Sequence, residues 1–280
     1  MDLTVFLAVI AAAVMHAGWN VLIKLKLDRF LSLFLIQILM GVMGLIMLAV
    51  FARPSAASLP YALTSGVLHL GYNLFLVRSY RTGDLSQVYP IARGSAPLLT
   101  LVITWLAARE EISSTGAAGI GILVAGIWLV SLVGRKGVKL DGLTLLFALG
   151  TSVFIAAYTV VDGLGGRVSG SPSSYAALVF VFDAVFLLAY ALMARGPGII
   201  SAVAPHWKSG LAGAALSGGA YWIVIWAMSK APIATVAALR ETSILFVMLM
   251  SMRVLRETVT RPRIAGALLI VAGAVVLRIA

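Results

Sequence analysis

Cysteine is absent from this sequence of 280 residues, which excludes disulfide bonds and metal sites built on thiolates. Charge is also scarce, because Asp, Glu, Lys and Arg together make up 11% of the residues, whereas about 25% is usual in a soluble domain. Hydrophobic residues account for 61%, and the mean hydropathy is +1.06. Too few charged residues are present to cover a water-facing globule, so we predict an integral membrane protein.

Acidic residues are rarer than basic ones, with 10 Asp and Glu against 21 Lys and Arg. The resulting net charge of +11 would suit a nucleic-acid-binding protein if the basic residues formed a stripe. They stand singly at the ends of apolar runs instead, which is how membrane proteins place Lys and Arg. We therefore expect a lipid bilayer around the chain and no nucleic-acid partner.

Long polar stretches are absent, and apolar runs near 20 residues follow one another with short connections. A run of this length crosses a bilayer as a helix, so the sequence predicts an all-α protein with ten transmembrane segments. The first run follows Met1 and Asp2 without the basic residues that open a signal peptide, which indicates a retained helix. The segments cover about residues 3–23, 31–52, 59–77, 86–107, 116–134, 142–161, 174–194, 209–229, 232–252 and 263–279.

The distribution of Lys and Arg predicts the orientation of these segments. Most of the 21 basic residues lie in the connections that follow odd-numbered segments, and connections rich in Lys and Arg stay in the cytoplasm. Both chain ends are then expected in the periplasm, around a bacterial-type inner membrane that the chain crosses many times. The opposite side carries Arg53, Arg109, Arg167, Lys230 and Arg278.

Enzyme motifs are absent as well. The sequence has no phosphate-binding loop, no Gly-x-Ser-x-Gly nucleophile motif and no cluster of metal ligands, and its three histidines, at 16, 69 and 206, stand far apart. The glycine-rich runs lie inside helices at a spacing that suits helix packing. We predict that the protein is not an enzyme and holds neither a cofactor nor a metal.

The two halves of the sequence are related by a duplication. Over the fourth and fifth segments, the second half of the sequence matches the first when shifted by 147 residues. Residues 1–138 and 139–280 are therefore predicted to form two repeats of five segments, and the odd number gives them opposite orientations. Inverted repeats are typical of secondary transporters, whose substrate site lies between the halves near the midplane. The matched pairs are Arg93 with Arg240, Arg109 with Arg256, Glu110 with Glu257, Gly119 with Gly266, and Gly126 with Gly273.

A polar motif, His-x-Gly-aromatic-Asn, occurs inside both the first and the third apolar run. Its spacing puts the His, the aromatic residue and the Asn on one helical face, at similar depths near the midplane. Such faces either line a cavity or join helices through hydrogen bonds. The repetition favours a cavity, in which the aromatic rings hold a flat substrate while Asn and His bind its amino or carboxylate group. The residues are His16, Trp19 and Asn20, and His69, Tyr72 and Asn73.

Aromatic and polar side chains also lie deep in the sixth and eighth segments. Tyr221 and Trp222 stand about 12 residues into the eighth segment, too deep for the aromatic belt at a membrane surface. Tyr158 and Thr159 match Trp19 and Asn20 when the sixth segment is shifted onto the first. We predict that all four line the same cavity, and the aromatic belt remains the alternative for the eighth segment.

Charged residues inside the segments are further candidates, because a charge near the midplane is costly and commonly functional. Arg93 and Arg240 occupy matched positions, Glu241 is a possible partner for Arg240, and Tyr89 lies one turn before Arg93. Each Arg either caps backbone carbonyls at a broken or kinked helix, or has a functional role in which it attracts a carboxylate or forms a gate.

Asp183 stands midway along the seventh segment. An isolated acid at this depth is a candidate for proton coupling or gating, and pairing with a neighbouring Ser, Tyr or His is the alternative. Histidine titrates near physiological pH, so His16 and His69 are candidates for the same role. Arg240 and Glu241 complete the predicted set of coupling or gating residues.

The ten segments in two repeats resemble the drug/metabolite transporter superfamily. So does a Glu-containing turn before a Gly-spaced fifth helix in each half, "AAREEIS" before "GAAGIGILVAG" and "RVLRETVT" before "RIAGALLIVAG". The sequence is most similar to the EamA-type exporters, and among them to the YddG-like exporters of aromatic amino acids. The resemblance implies an inner-membrane exporter of amino acids or small metabolites. In the small multidrug-resistance branch a Glu in the first helix carries the coupling proton, and the first segment here has none.

Three functions fit these features. The first is an exporter that works by alternating access on amino acids, with aromatic ones favoured, or on related metabolites. The second is a facilitator without ion coupling, or an exporter of other metabolites or lipophilic cations. The third is a membrane scaffold subunit, which has no need of two matched polar faces. We expect a monomer that binds a small-molecule substrate.

Overall fold

The computed structural model describes residues 1–22, 29–82, 85–132, 142–255 and 260–280, with side chains left undescribed at 21–29, 80–90, 132–141 and 251–259. Within these ranges the chain is almost entirely helical. The predicted repeat boundary between residues 138 and 139 lies outside the described residues. The helices are α1 (Leu3–Leu22), α2 (Arg29–Val50), α3 (Leu59–Thr82), α4 (Leu85–Ala107), α5 (Ser114–Leu132), α6 (Gly142–Val168), α7 (Pro172–Arg195), α8 (Gly198–Val203), α9 (Trp207–Met228), α10 (Ile233–Arg240), α11 (Ser243–Leu255) and α12 (Arg261–Ile279).

The helices correspond to the ten predicted segments, with three differences. Short α8 occupies the connection before α9, and the ninth segment divides into α10 and α11. The third difference corrects a predicted boundary, because α6 continues to Val168 and does not end near residue 161. Asp162 and Arg167 therefore belong to a helix. The apolar run stops at Asp162, but the helix continues since neighbouring side chains satisfy both charged groups: Tyr175 and Tyr221 donate to Asp162, and Arg167 donates to Glu110.

Apolar surface covers the outside of the bundle. Eight helical stretches among the described residues are long and apolar enough to cross a membrane, and α4 adds a shorter stretch, Ile91–Ala107. Helix α3 has 24 residues but is less apolar, because it carries polar side chains such as His69 and Asn73. Large apolar side chains face outward, including Trp105 and Leu268, each 65% exposed. Lipid can cover such a surface, since the helices satisfy their own backbone hydrogen bonds.

The packing of the helices follows a two-fold relation between the repeats. Helices α1 to α5 correspond in order to α6, α7, α9, α10 with α11, and α12. Three helices pack against their own counterparts, since α2 contacts α7, α4 contacts α10, and α5 contacts α12. Other contacts occur twice, once in each direction between the repeats. The contact of α3 with α6 matches that of α9 with α1, the contact of α3 with α7 matches that of α9 with α2, and the contact of α4 with α6 matches that of α11 with α1. Two inverted repeats produce this pattern.

Matched glycines bring α5 and α12 into backbone contact. A Cβ atom on Gly126 would lie 2.7 Å from the carbonyl oxygen of Gly266, and one on Gly273 would lie 2.9 Å from that of Gly119. These are the glycines that the duplicated sequence pairs. Small residues allow such close approach between membrane helices, so the repeats meet here through backbone and not through large side chains.

A break in the second repeat separates α10 from α11 at Glu241 and Thr242. The N–H groups of Glu241 and Thr242 donate to Ala238 and Leu239, each at 3.0 Å, three residues back and not four. The kink proposed for the two Arg positions is therefore present beside Arg240. Helix α4, the counterpart, continues through Arg93 without interruption.

An ion pair ties the repeats together at one end of the bundle. Glu110 follows α4, and its Oε1 lies 2.7 Å from Nη2 of Arg167 near the end of α6. The other oxygen of Glu110 accepts from the N–H of Ile233 at 2.9 Å, which caps the N-terminus of α10. Arg167 Nε donates to the carbonyl of Met228, also at 2.9 Å. We call Glu110 and Arg167 the end clamp.

Candidate functional site

A cavity of about 90 Å³ lies between the repeats, enough for several water molecules or a small solute. Helices of the first repeat supply one part of its lining and helices of the second repeat the other. The lining residues are Ala12, His16, Trp19, Leu33, Ile36, Gln37, His69, Tyr72, Asn73, Arg93, Tyr158, Asp183, Ser217, Ala220, Tyr221, Val224 and Arg240.

His16 lies between two hydrogen-bond donors. The Trp19 indole nitrogen is 3.2 Å from His16 Nδ1, and Arg93 Nη2 is 3.2 Å from His16 Nε2. Both partners can only donate, and a neutral imidazole has one acceptor nitrogen, so His16 accepts from one of them at a time. An imidazolium would direct two N–H groups at donors, so this arrangement favours a neutral His16.

His69 has a different environment. Its Nδ1 lies 3.0 Å from the backbone carbonyl of Ser65 and 3.1 Å from the Ser65 hydroxyl. A protonated Nδ1 donates to the carbonyl, whereas an unprotonated Nδ1 accepts from the hydroxyl, so these contacts fit either neutral tautomer. A doubly protonated His69 would keep its hydrogen bond from Nδ1 to the Ser65 carbonyl.

Aromatic rings surround His69. The His69 ring stacks on Tyr158 with centroids 4.0 Å apart, and Tyr221 meets His69 edge-on at 5.6 Å. Tyr72 meets Tyr158 edge-on at 5.8 Å. These rings come from α3, α6 and α9, so both repeats contribute to them. We call Tyr72, Tyr158 and Tyr221 the aromatic wall.

A buried ion pair joins the repeats beside the cavity. Arg93 Nε on α4 lies 2.8 Å from Oε2 of Glu241, and the two side chains are 6% and 1% exposed. Arg240 Nε lies 3.7 Å from the other oxygen of Glu241, beyond hydrogen-bond distance. Two guanidinium groups thus share one carboxylate, which gives this part of the cavity positive character.

An acid lies on the wall formed by α2 and α7. Asp183 of α7 is 4% exposed, and its Oδ2 accepts from the Gln37 amide at 2.5 Å. Oδ1 of Asp183 is buried and has no hydrogen-bond partner among the described residues. The predicted pairing with Ser, Tyr or His is therefore replaced by a pairing with Gln37.

Comparisons with known proteins identify the family. The model of the EamA-like transporter family matches residues 3–132 and again residues 142–279. The chain belongs to the EamA-like transporter family. Among solved structures, 29 chains match, and one, titled only as the crystal structure of a protein, superposes with a TM-score of 0.81 at 16% identity, covering 100% of this chain and 98% of that one. Comparison with curated proteins gave no match.

Membership in the EamA-like family establishes the coarse function, because two copies of the family's helical unit form a membrane transporter of small molecules. The all-α fold with two repeats is confirmed. The narrower resemblance to YddG-like exporters of aromatic amino acids has no support in these comparisons and stays a hypothesis.

Three residues predicted to bind substrate in this EamA-like transporter are not brought to the lining. The Asn20 amide donates to the carbonyl of His16 at 2.7 Å, and the Thr159 hydroxyl donates to Ile155 at 2.6 Å, so both bond within their own helices. The Trp222 indole donates to Ser173 at 2.9 Å, outside the cavity. A fourth predicted side chain, that of Tyr89, lies outside the described residues.

The other predicted binding residues and the predicted coupling or gating residues Asp183 and Arg240 lie together at the cavity, and Glu241 forms an ion pair with Arg93. Those at the lining are His16, Trp19, His69, Tyr72, Asn73, Arg93, Tyr158, Asp183, Tyr221 and Arg240.

Sequence reasoning missed Gln37 and Asp162. Gln37 is a lone amide inside the apolar run of α2, and that isolation was a usable signal. Asp162 is fully buried and accepts from the hydroxyls of Tyr175 at 3.0 Å and Tyr221 at 2.5 Å. Asp162 is not among the predicted site residues because the predicted sixth segment stops near residue 161, just before it, whereas α6 continues to Val168. Asp162 fixes the position of Tyr221 and thereby one side of the aromatic wall.

Proposed function

We propose that this chain exports amino acids, with aromatic ones favoured, and related small amphipathic metabolites by alternating access around the central cavity. The observation that carries the proposal is a cavity whose lining combines aromatic rings with charged groups of both signs. Such a lining suits a solute that has an apolar body and a polar head. A lipophilic cation would have to lie beside Arg93 and Arg240, which repel it.

The two-fold relation between the repeats supports alternating access. In transporters with inverted repeats, one half rocks against the other around a site between them. Here both repeats line the cavity, and the end clamp joins them at the end predicted to face outward. Opening toward that side would require Glu110 to release Arg167 and the N-terminus of α10.

His69 is the better of the two predicted histidines for proton coupling. A doubly protonated His69 would keep its hydrogen bond to the Ser65 carbonyl, and its ring contacts two residues of the aromatic wall, whereas His16 lies between two donors. A proton on His69 would add positive charge beside the substrate and so change its affinity. Without such coupling the same cavity would serve a facilitator.

The proposed setting is a bacterial-type inner membrane, with both chain ends in the periplasm and the protein acting as a monomer. Orientation follows from the excess of Lys and Arg in connections after odd-numbered segments.

Uptake of radiolabelled amino acids into proteoliposomes, with and without a pH gradient, tests the proposal. Saturable uptake of Phe, Trp or Tyr supports it, and stimulation by the gradient supports proton coupling. Saturable uptake that ignores the gradient indicates a facilitator. If purified, folded protein moves no amino acid while liposomes stay intact, the proposed substrate class is wrong and other metabolites become the candidates.

A further inference from the structure

Charges of opposite sign lie on different walls of the cavity. Asp183 stands on the wall of α2 and α7, which pack against each other, whereas Arg93 and Arg240 stand on α4 and α10, which form another packed pair. Among the described residues, no salt bridge joins Asp183 to either Arg, since both are close to Glu241. The cavity therefore has an acidic side and a basic side that do not neutralise each other.

Besides Arg93, whose Nε lies 2.8 Å from Glu241, three residues at this lining have a buried polar atom without a hydrogen-bond partner among the described residues: Asp183 Oδ1, Asn73 Nδ2 and Arg240 Nε, the last 3.7 Å from Glu241. Their residues are at most 5% exposed. Buried polar atoms in folded proteins are almost always paired, so unpaired atoms around one cavity point to a ligand. One of the three accepts hydrogen bonds and two donate them, which calls for a ligand with a donor group and an acceptor group.

We propose that the cavity selects zwitterions, with the ammonium group of the solute on Asp183 and its carboxylate on Arg240 and Asn73. This inference rests on the proposed function and narrows it. Asp183 Oδ1 accepts one N–H of the ammonium group, and Gln37 keeps the carboxylate in place through Oδ2. The aromatic wall then contacts the side chain of the solute.

A solute with only one of the two charged groups leaves the opposite subsite unpaired. Sites built around a hydrogen-bonding group reject analogues that lack it, because the buried partner then loses its only bond. A bond to a charged group contributes enough that its loss weakens affinity about 10- to 100-fold. Amines and carboxylic acids of the same shape are therefore expected to be poor substrates.

Three solutes of similar size test this in proteoliposomes holding the full chain: L-phenylalanine, 3-phenylpropionate, which lacks the ammonium group, and 2-phenylethylamine, which lacks the carboxylate. We expect each analogue to compete at least about tenfold more weakly than phenylalanine. Asp183→Asn should remove the preference over 3-phenylpropionate, and Arg240→Gln should remove the preference over 2-phenylethylamine. Each preference is the ratio of competition by phenylalanine to competition by the analogue, measured in the same variant. A smaller folded fraction lowers both values and leaves this ratio unchanged.

Glu111→Gln is the matched control, because Glu111 is an exposed acid outside the cavity. This variant should prefer phenylalanine over each analogue to the same degree as the wild type. If Asp183→Asn lowers competition by both solutes equally and removes stimulation by a pH gradient, Asp183 carries a proton and the inference is wrong. If phenylalanine is transported but either analogue competes as well as it does, the inference fails while the proposed function stands. If no amino acid is transported or bound, both fail.

Discussion

Single side chains decide the chemistry of this cavity, and the residues of the two His-x-Gly-aromatic-Asn motifs make different contacts. Tyr72 lies in the aromatic wall, whereas the amide of Asn20 donates to the carbonyl of His16 within its own helix. The helical spacing of each motif was a sound basis for placing its residues on one face. It could not show which polar groups bond within their own helix.

Tyr72→Ala is expected to raise the KM for an aromatic amino acid about tenfold, because a lost aromatic contact costs about 0.5–1.5 kcal/mol beyond the lost area. Tyr72→Phe should retain transport, since it keeps the ring. Asn20→Ala should change the KM less than Tyr72→Ala. Uptake kinetics in proteoliposomes measure all three, and a larger effect from Asn20→Ala would place that amide in the site after all.

Because Arg93 and Arg240 share the carboxylate of Glu241, variants of these residues are expected to differ in stability. Glu241→Gln leaves two buried guanidinium groups without a counter-charge, whereas Arg93→Met leaves Arg240 with Glu241 and no net charge. Removing one partner of a buried pair costs about 3–5 kcal/mol. We expect Glu241→Gln to be the more destabilising change.

Thermal unfolding of the two variants in the same detergent checks that order. Equal losses, or a larger loss for Arg93→Met, would mean that the Arg93–Glu241 contact and not the charge balance determines stability.

At the scale of the helices, the sequence predicts the positions of the segments better than it predicts their ends and breaks. Hydropathy placed the ten segments, because lipid-facing residues must be apolar along most of each helix. It misplaced the end of α6, since a buried acid such as Asp162 looks like a loop residue until its Tyr partners are known. The division of the ninth segment into α10 and α11 was expected in one interpretation of its Arg, and the three-dimensional arrangement shows that the break is present.

The contact between α5 and α12 gives a prediction for a glycine. Gly126→Ala should destabilise the protein by about 1–3 kcal/mol, because the new methyl group has no room beside Gly266. Gly121 lies on the same helix, and a Cβ added there would have no neighbouring atom within 4 Å. Gly121→Ala should be neutral or stabilise by up to about 1 kcal/mol, because Ala favours helix over Gly.

Unfolding temperatures of the two glycine variants, each compared with the wild type, measure the difference. If both variants unfold at the wild-type temperature, α5 and α12 do not approach as closely as their glycines allow.

The end clamp, formed by Glu110 and Arg167, is expected to stabilise the bundle. Glu110→Ala removes the cap of α10 and the partner of Arg167 together, and we expect a loss of about 1–2 kcal/mol. Glu111→Ala changes the neighbouring exposed acid and should have an effect within about 0.5 kcal/mol. Thermal unfolding compares them, and equal effects would show that neither bond of Glu110 stabilises the bundle.

At the scale of the whole molecule, residues that the duplication pairs lie close together where the two repeats meet. Matched glycines meet across α5 and α12, and the matched pair of Arg93 and Arg240 shares Glu241. The sequence did not predict that α2 and α7 bring Gln37 and Asp183 together, because the matched positions that the duplication supplies lie in the fourth and fifth segments of each half.

Orientation in the membrane is the remaining property of the whole chain, and the absence of cysteine makes it measurable. Ala57 lies after α2 on the side predicted to be periplasmic, and Ala202 lies in α8 on the predicted cytoplasmic side; both are exposed. A membrane-impermeant maleimide should label Ala57→Cys in intact cells and Ala202→Cys only after permeabilisation, while the cysteine-free parent gives no signal. The reverse pattern would turn the protein over, place the end clamp at the cytoplasmic face, and make Glu110 and Arg167 an inner closure instead of an outer one.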